Sequence, residues 1–249
     1  MQDVQSREDG RGIAIQRVGV KDVRLPFLIK KQTGGYQQVL ATITFTVSLP
    51  MEFKGTHMSR FLEILLPWRE KPLAEEEMDA MLTEALDRLH AEAAEVRLAF
   101  TYFVEKSAPV SGRTSLLDVD ASFTGRKRRG MPMEFELGLS MPFTSLCPCS
   151  KEISSYGAHN QRSRARVRLR FHAGVPCIYI EDLAKLLEQQ GSAPIYPLLK
   201  RADEKYVTEE AYEHPKFVED ILRDTVLALR QLPGLAYFSL ACENEESIH

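Results

Sequence analysis

A chain of 249 residues with 44% hydrophobic and 27% charged residues has the composition of an ordinary soluble globular protein, long enough for one large domain or two moderate ones. A net charge of -3 excludes a surface that is basic throughout, as a dedicated nucleic-acid binder would carry. Four cysteines are too few for a disulfide scaffold and point to a reducing cytoplasm; the polar start MQDVQSREDGRG predicts no secretory signal, and no apolar run approaches the roughly 20 residues of a membrane helix.

Residues 1–12 read as a flexible N-terminal segment, and the short apolar runs over 13–30 predict a first strand. Over 37–49, Val39, Ala41, Ile43, Phe45, Val47 and Leu49 alternate with polar residues, the period of a strand covered on one side. PMEFKGTHMSRFLEILLPW predicts a turn and a short helix. Residues 74–92 place Met78, Met81, Leu82, Ala85 and Leu89 on one stripe behind an acidic first turn, and so predict another helix. Two further alternating runs, Val96 to Val104 and Ser115 to Phe123, predict strands. The basic run GRKRRGMP at 125–132 reads as a connector between a module at 13–130 and a second at 131–249.

In the second half, Met133 to Met141 alternate in a strand predicted to end at Pro142. Residues 162–171 set Arg162, Arg164, Arg166, Arg168 and Arg170 on one face and Ser163, Ala165, Val167, Leu169 and Phe171 on the other. Helices are predicted over 180–190 and 216–232, the latter on a stripe of Val218, Leu222, Thr225, Leu229 and Leu232, and a strand over 235–242. The order of elements thus repeats, and it implies an α+β fold with antiparallel sheets and helices packed on one face. The arginine face has two readings. It is a strand face paired with acidic neighbours across the sheet, or it lends one or two guanidinium groups to an anionic ligand.

The stretch SLCPCSKEISSYGAHNQRS at 145–163 carries the chemistry. Cys147 and Cys149 are separated only by Pro148, and His159 follows ten residues on. Thiolate and neutral imidazole are the donors a borderline-soft divalent cation takes most readily, although paired thiols also occur as ordinary packing residues. By spacing alone, Glu204 sits in a polar segment between helices, Glu219 on a wet helix face and His249 at a frayed end. Cys177 and Cys242 read as packing residues.

Taken in order, GTHMSRF at 55–61, SLCPCSKEIS, YGAHNQRS, YPLLKRADEKYVTE, HPKFVED and ENEESIH resemble GTP cyclohydrolase I of type IB, the prokaryotic form, over nearly the whole chain after its first dozen residues. The resemblance implies tandem tunnelling-fold modules and a homotetramer with active sites at subunit interfaces. It also implies conversion of GTP and water to 7,8-dihydroneopterin triphosphate and formate, the first step of tetrahydrofolate and pterin synthesis. It assigns Cys147, His159 and Glu204 as ligands of one divalent metal per site, with zinc, manganese and iron(II) all suited to a mixed S, N, O set. Which of Cys147 and Cys149 binds the ion stays open. Proton transfer falls to Cys149 and His249 and the purine anchor to Glu219, while His57, Arg60, Lys151 and Arg162 are candidates for the triphosphate. GTP and further copies of the chain are the expected partners, with no nucleic acid and no membrane. Two alternatives stand beside this reading. One is a related tunnelling-fold enzyme on a pterin or deazapurine with Cys147 or Cys149 as nucleophile; the other is a non-catalytic nucleotide-binding module.

Overall fold

The computed structural model describes residues 10–248; residues 1–9, most of the expected N-terminal segment, and His249 lie outside the described residues. Among the described residues eight strands form one sheet in the order β3-β1-β2-β4-β5-β6-β7-β8. The chain divides into two compact units, one of Met1–Thr101, Ser122–Leu137 and Arg170–Cys177, the other of Tyr102–Ala121, Gly138–Leu169 and Ile178–His249. Each unit is assembled from several segments, because the long strands β4 (Ala93–Ser107), β5 (Thr114–Arg128), β6 (Glu134–Leu146) and β7 (Asn160–Phe171) pass from one into the other.

In the first unit, β1 (Ile15–Lys30) pairs antiparallel with β2 (Tyr36–Leu49), and Gly34 and Gly35 turn the hairpin with positive φ, a conformation glycine adopts without steric cost. Asp22, at φ 57, sits where the register shifts between Val20 and Val23. The predicted alternation is observed: Val39, Ala41, Ile43, Phe45, Val47 and Leu49 are all buried. Helix α1 (Met58–Trp68) covers that face, with Phe61 edge-on to Phe45 at 5.1 Å, a contact worth about 0.5–1.5 kcal/mol beyond its buried area. Between the helices the two-residue β3 (Pro72–Leu73) adds a parallel edge to β1. Helix α2 (Glu75–Arg88) buries the stripe read from the sequence, Met78, Met81, Leu82 and Ala85.

The first half of the basic run is strand and not connector, since β5 continues to Arg128. Two of its cations, Lys127 and Arg129, have partners on α2 that local sequence does not display. Lys127 Nζ lies 2.6 Å from Asp79 and 2.7 Å from Thr83, and Arg129 reaches Asp87 and the Leu86 carbonyl, both at 2.7 Å. Gly125 is buried below the same helix. A Cβ there would lie 2.7 Å from Met78 Sδ, so a larger residue would force the Met78 and Leu82 side chains to shift.

In the second unit, β6 does not stop at Pro142 but runs to Leu146. A proline removes one donor without ending a strand, and beyond it Thr144 gains partners: its N–H bonds to the Ala193 carbonyl at 3.0 Å and its own carbonyl takes Ser192 N–H at 2.8 Å. The short α3 (Pro148–Ile153) and α4 (Ile180–Glu188) follow, and then α5 (Arg201–Glu213), a helix where the sequence predicts only a polar segment. Helix α6 (Val218–Leu229) buries Ile221, Thr225 and Leu229, whereas Leu222 of the predicted stripe is exposed. Ile221 packs on Phe143 and Ala165, with Leu240 and Cys242 of β8 (Leu235–Glu245) beside them; burial there raises the Cys242 thiol to about 11, as befits a packing residue.

One buried acid fixes α5. Asp203 accepts from Lys200 N at 2.9 Å, from Val110 N and Ser111 N at 2.8 Å each, and from Ser111 Oγ at 2.6 Å, so the β4–β5 turn is tied to the first turn of the helix. Burial pushes its carboxyl up, but these hydrogen bonds outweigh burial and hold it well below the usual carboxylate range. A depressed folded value stabilises the fold above the unfolded value of about 3.9, and the contribution is lost as pH falls through the folded one. Asp203→Ala should therefore lower Tm at neutral pH by on the order of 5 °C. The gap from wild type should close progressively in thermal melts below about pH 4, and a gap independent of acid would contradict this account.

Candidate functional site

Strand β6 ends at Leu146 and delivers Cys147 as the residue that caps α3, its Sγ accepting from Ser150 N at 3.5 Å. Proline at the first helical position suits this start, because its missing N–H would have had no partner. Cys147 N donates to the His159 carbonyl at 3.1 Å. Ser150 Oγ donates to the Cys147 carbonyl and accepts from His159 N, both at 3.1 Å. The loop between the two residues is thereby closed on itself, with Cys147 leaving β6 and His159 entering its sheet neighbour β7. Both are partly buried, and Cys149 is exposed. His159 Nδ1 lies 2.8 Å from Oε1 of the buried Gln161, which orients the ring as outer hydrogen-bonding partners orient metal-binding histidines.

Ser145 and Leu146, directly before Cys147, are the point on which the other motifs of this unit converge. Ser145 Oγ donates to the Lys216 carbonyl at 2.9 Å and lies within 3.5 Å of Gln161 Nε2 and 3.3 Å of Asn244 Nδ2. Lys216 N donates back to the Leu146 carbonyl at 3.1 Å, which ties the start of α6 to the end of β6. Leu146 also packs with Ala193 and Ala211, against Ala158 and Val207. Glu204 precedes Val207 and Ala211 by three and seven residues, so it lies on the side of α5 whose Val207 and Ala211 meet the residues before Cys147 and His159.

The sequence candidates are distributed as follows. Cys147 and His159 are brought together. Glu204 is exposed in the first turn of α5, and among the described residues no three His, Cys, Asp or Glu side chains are grouped to hold a metal ion. The donor types nonetheless fit a cation: a thiol, an imidazole held by a buried amide, and a carboxylate on the facing helix stripe. Glu219, in the first turn of α6, is exposed, as a wet helix face predicts, and has no hydrogen-bond or ionic partner among the described residues. Lys151 lies 4.2 Å over the Tyr212 ring and donates to the Tyr212 carbonyl, which ties α3 to α5. His57 and Arg60, in the first unit, begin α1.

Four of the five arginines of β7 are engaged by neighbouring side chains: Arg164 by Asp120 and Ser140, Arg166 by Glu243, Arg168 by Ser239, and Arg170 by Glu134. Arg162 has no such partner among the described residues, and it is the one adjacent to Gln161. A cavity of about 590 Å³ in the first unit, lined by Arg17, Ser48, Glu95, Arg126 and Met131 among others, contains none of the candidates; Glu95 neutralises both Arg17 and Arg126 there, at 2.7 and 3.0 Å.

Gln161, Ser145 and Asn244 were missed in the sequence. The signal available for Gln161 was its phase: it occupies the inward register of β7 with Ala165, Val167 and Leu169, where a polar side chain requires a partner.

A family model described as type I GTP cyclohydrolase folE2 matches residues 1–249. The chain belongs to that family. Two relatives named GTP cyclohydrolase FolE2, from Geobacter sulfurreducens and Bordetella avium, are each 49% identical over 249 residues, covering 100% of this chain and 94% and 92% of their own lengths. These matches bear out the resemblance carried by the six motifs. Among solved structures, uricase from Arthrobacter globiformis aligns over 93% of this chain and 82% of its own at a TM-score of 0.56 and 8% identity. Urate oxidase from Bacillus subtilis 168 aligns over 92% and 86% at 0.51 and 10%. At such identities the likeness shows the fold alone: this member of the folE2 family has the tunnelling fold, α+β with helices on one side of the sheet.

Proposed function

We propose that the chain opens the imidazole ring of GTP with water, releases carbon 8 as formate and closes the remainder to 7,8-dihydroneopterin triphosphate, the entry to tetrahydrofolate and pterin synthesis. The observation that carries this is the family match over the full 249 residues. Cys147 and His159, with Glu204, would hold one divalent cation, with zinc, manganese and iron(II) all compatible with the donor set. When bound, such an ion supplies water of lowered pKa and a positive charge near carbon 8. Glu219, without a partner among the described residues, accepts hydrogen bonds from the N1–H and 2-amino group of guanine.

Ring nitrogens must be protonated as their bonds to carbon 8 break. The exposed Cys149 thiol, two residues from Cys147, and His249, outside the described residues, are the donors we assign. Arg162, which no described residue neutralises, supplies its charge to the triphosphate, with His57, Arg60 and Lys151 as further contacts. Self-association to a tetramer with interfacial sites agrees with α1, which exposes Met58, Leu62 and Leu66 at 41%, 39% and 44% along one stripe. No helix among the described residues is long and apolar enough to cross a membrane, and we place the chain in the cytoplasm. We also read 13–130 and 131–249 as successive modules, since two strands, helices and a closing strand recur in each.

Incubation with GTP and manganese or zinc should yield formate and a pterin fluorophore after oxidation, with loss on EDTA treatment and return on adding metal. Absence of both products overturns the reading. Turnover indifferent to chelator but abolished by thiol alkylation would instead mark a cysteine-nucleophile enzyme of the same fold.

A further inference from the structure

We infer that Gln161 is a positioning residue that holds the neutral ring of His159 in the tautomer protonated on Nδ1, leaving the lone pair on Nε2. The assignment follows from a relay of hydrogen bonds that begins at a group with one possible role. The Lys216 carbonyl can only accept, so Ser145 Oγ, fully buried and 2.9 Å away, must spend its single proton there. Gln161 Nε2 at 3.5 Å and Asn244 Nδ2 at 3.3 Å therefore meet Ser145 Oγ as donors. With its nitrogen turned to Ser145, Gln161 presents its carbonyl oxygen to His159 Nδ1 at 2.8 Å. A carbonyl cannot donate, and the ring proton must then be on Nδ1.

Free histidine in water favours the opposite tautomer, so this one is imposed by the fold. The consequence is a ring whose Nε2 is ready to donate its lone pair without first losing a proton. That Nε2 serves a cation rests on the proposed function; the tautomer does not.

The test is the ¹⁵N spectrum of the imidazole rings in chelator-treated protein with neutral histidines, His159 being assigned by comparison with His159→Ala. Protonation on Nδ1 is expected in the wild type and in Gln161→Glu, whose carboxylate also accepts, and protonation on Nε2 in Gln161→Leu. A wild-type ring protonated on Nε2 overturns the inference, and that readout needs no variant to fold. So does a Gln161→Leu ring with the wild-type tautomer. In parallel, zinc or manganese affinity by chelator competition should fall roughly 10–100-fold in Gln161→Leu and recover in Gln161→Glu. A changed tautomer with unchanged affinity supports the positioning role of Gln161 while removing His159 from the cation's ligands.

Discussion

His159→Ala is expected to strip the cation and to lower GTP turnover at least about a hundredfold, since loss of an outer partner alone costs roughly 10–100-fold in metal affinity or activity. The imidazole is the donor the fold prepares most thoroughly. Its backbone N–H is held by Ser150, its carbonyl by Cys147 and its ring by Gln161, at 3.1, 3.1 and 2.8 Å. Removing it leaves one thiol and the carboxylate of Glu204, which lies on a separate helix and is exposed to water. Two donors on independent elements do not offset the cost of dehydrating a divalent ion. Elemental analysis of protein purified without chelator checks the result, and a fully occupied variant would refute the ligand assignment. Circular dichroism of the same sample separates metal loss from unfolding.

Glu219→Ala is expected to weaken GTP binding by roughly 10²–10⁴-fold, because two hydrogen bonds to a charged group contribute about 1.5–3 kcal/mol each. Metal occupancy should be unaffected. Glu219 stands in the first turn of α6, and that helix is tied through Lys216 to Leu146, the residue before Cys147. The carboxylate has no partner among the described residues to surrender when a ligand arrives. Inosine triphosphate sharpens the test, since it lacks the 2-amino group. Wild type should bind it more weakly than GTP, whereas Glu219→Ala should discriminate far less, which isolates the pairwise interaction. Calorimetric titration reads both comparisons, and tight GTP binding by the variant would remove Glu219 from the guanine contact.

The strands were legible wherever one face is covered. Alternation in β2, β4 and β7 is a property of neighbouring residues, and the buried sets follow the predicted period, except that Phe171 at the end of β7 is only half-buried. Helix α5 escaped because RADEKYVTEEAYE buries only Asp203 and Ala211, so it displays no apolar stripe. The end of β5 escaped because Lys127 finds Asp79 at a separation of 48 residues. The thiol and imidazole of the site were legible as residue types, and their pairing follows from the closed loop between β6 and β7. Glu204 and Glu219 enter as candidates only through the motifs surrounding them.

By itself, the amino-acid sequence determined the family, the alternating strands, and the sulfur, imidazole and carboxylate groups available for chemistry. These depend on residue identity and on periods of two to four residues. Only the tertiary structure decided that Ser145 would gather Gln161, Lys216 and Asn244 from 16, 71 and 99 residues away, and so which nitrogen of His159 carries the proton. A hydroxyl has one proton to give, and where it goes depends on which acceptor the folded chain brings within reach.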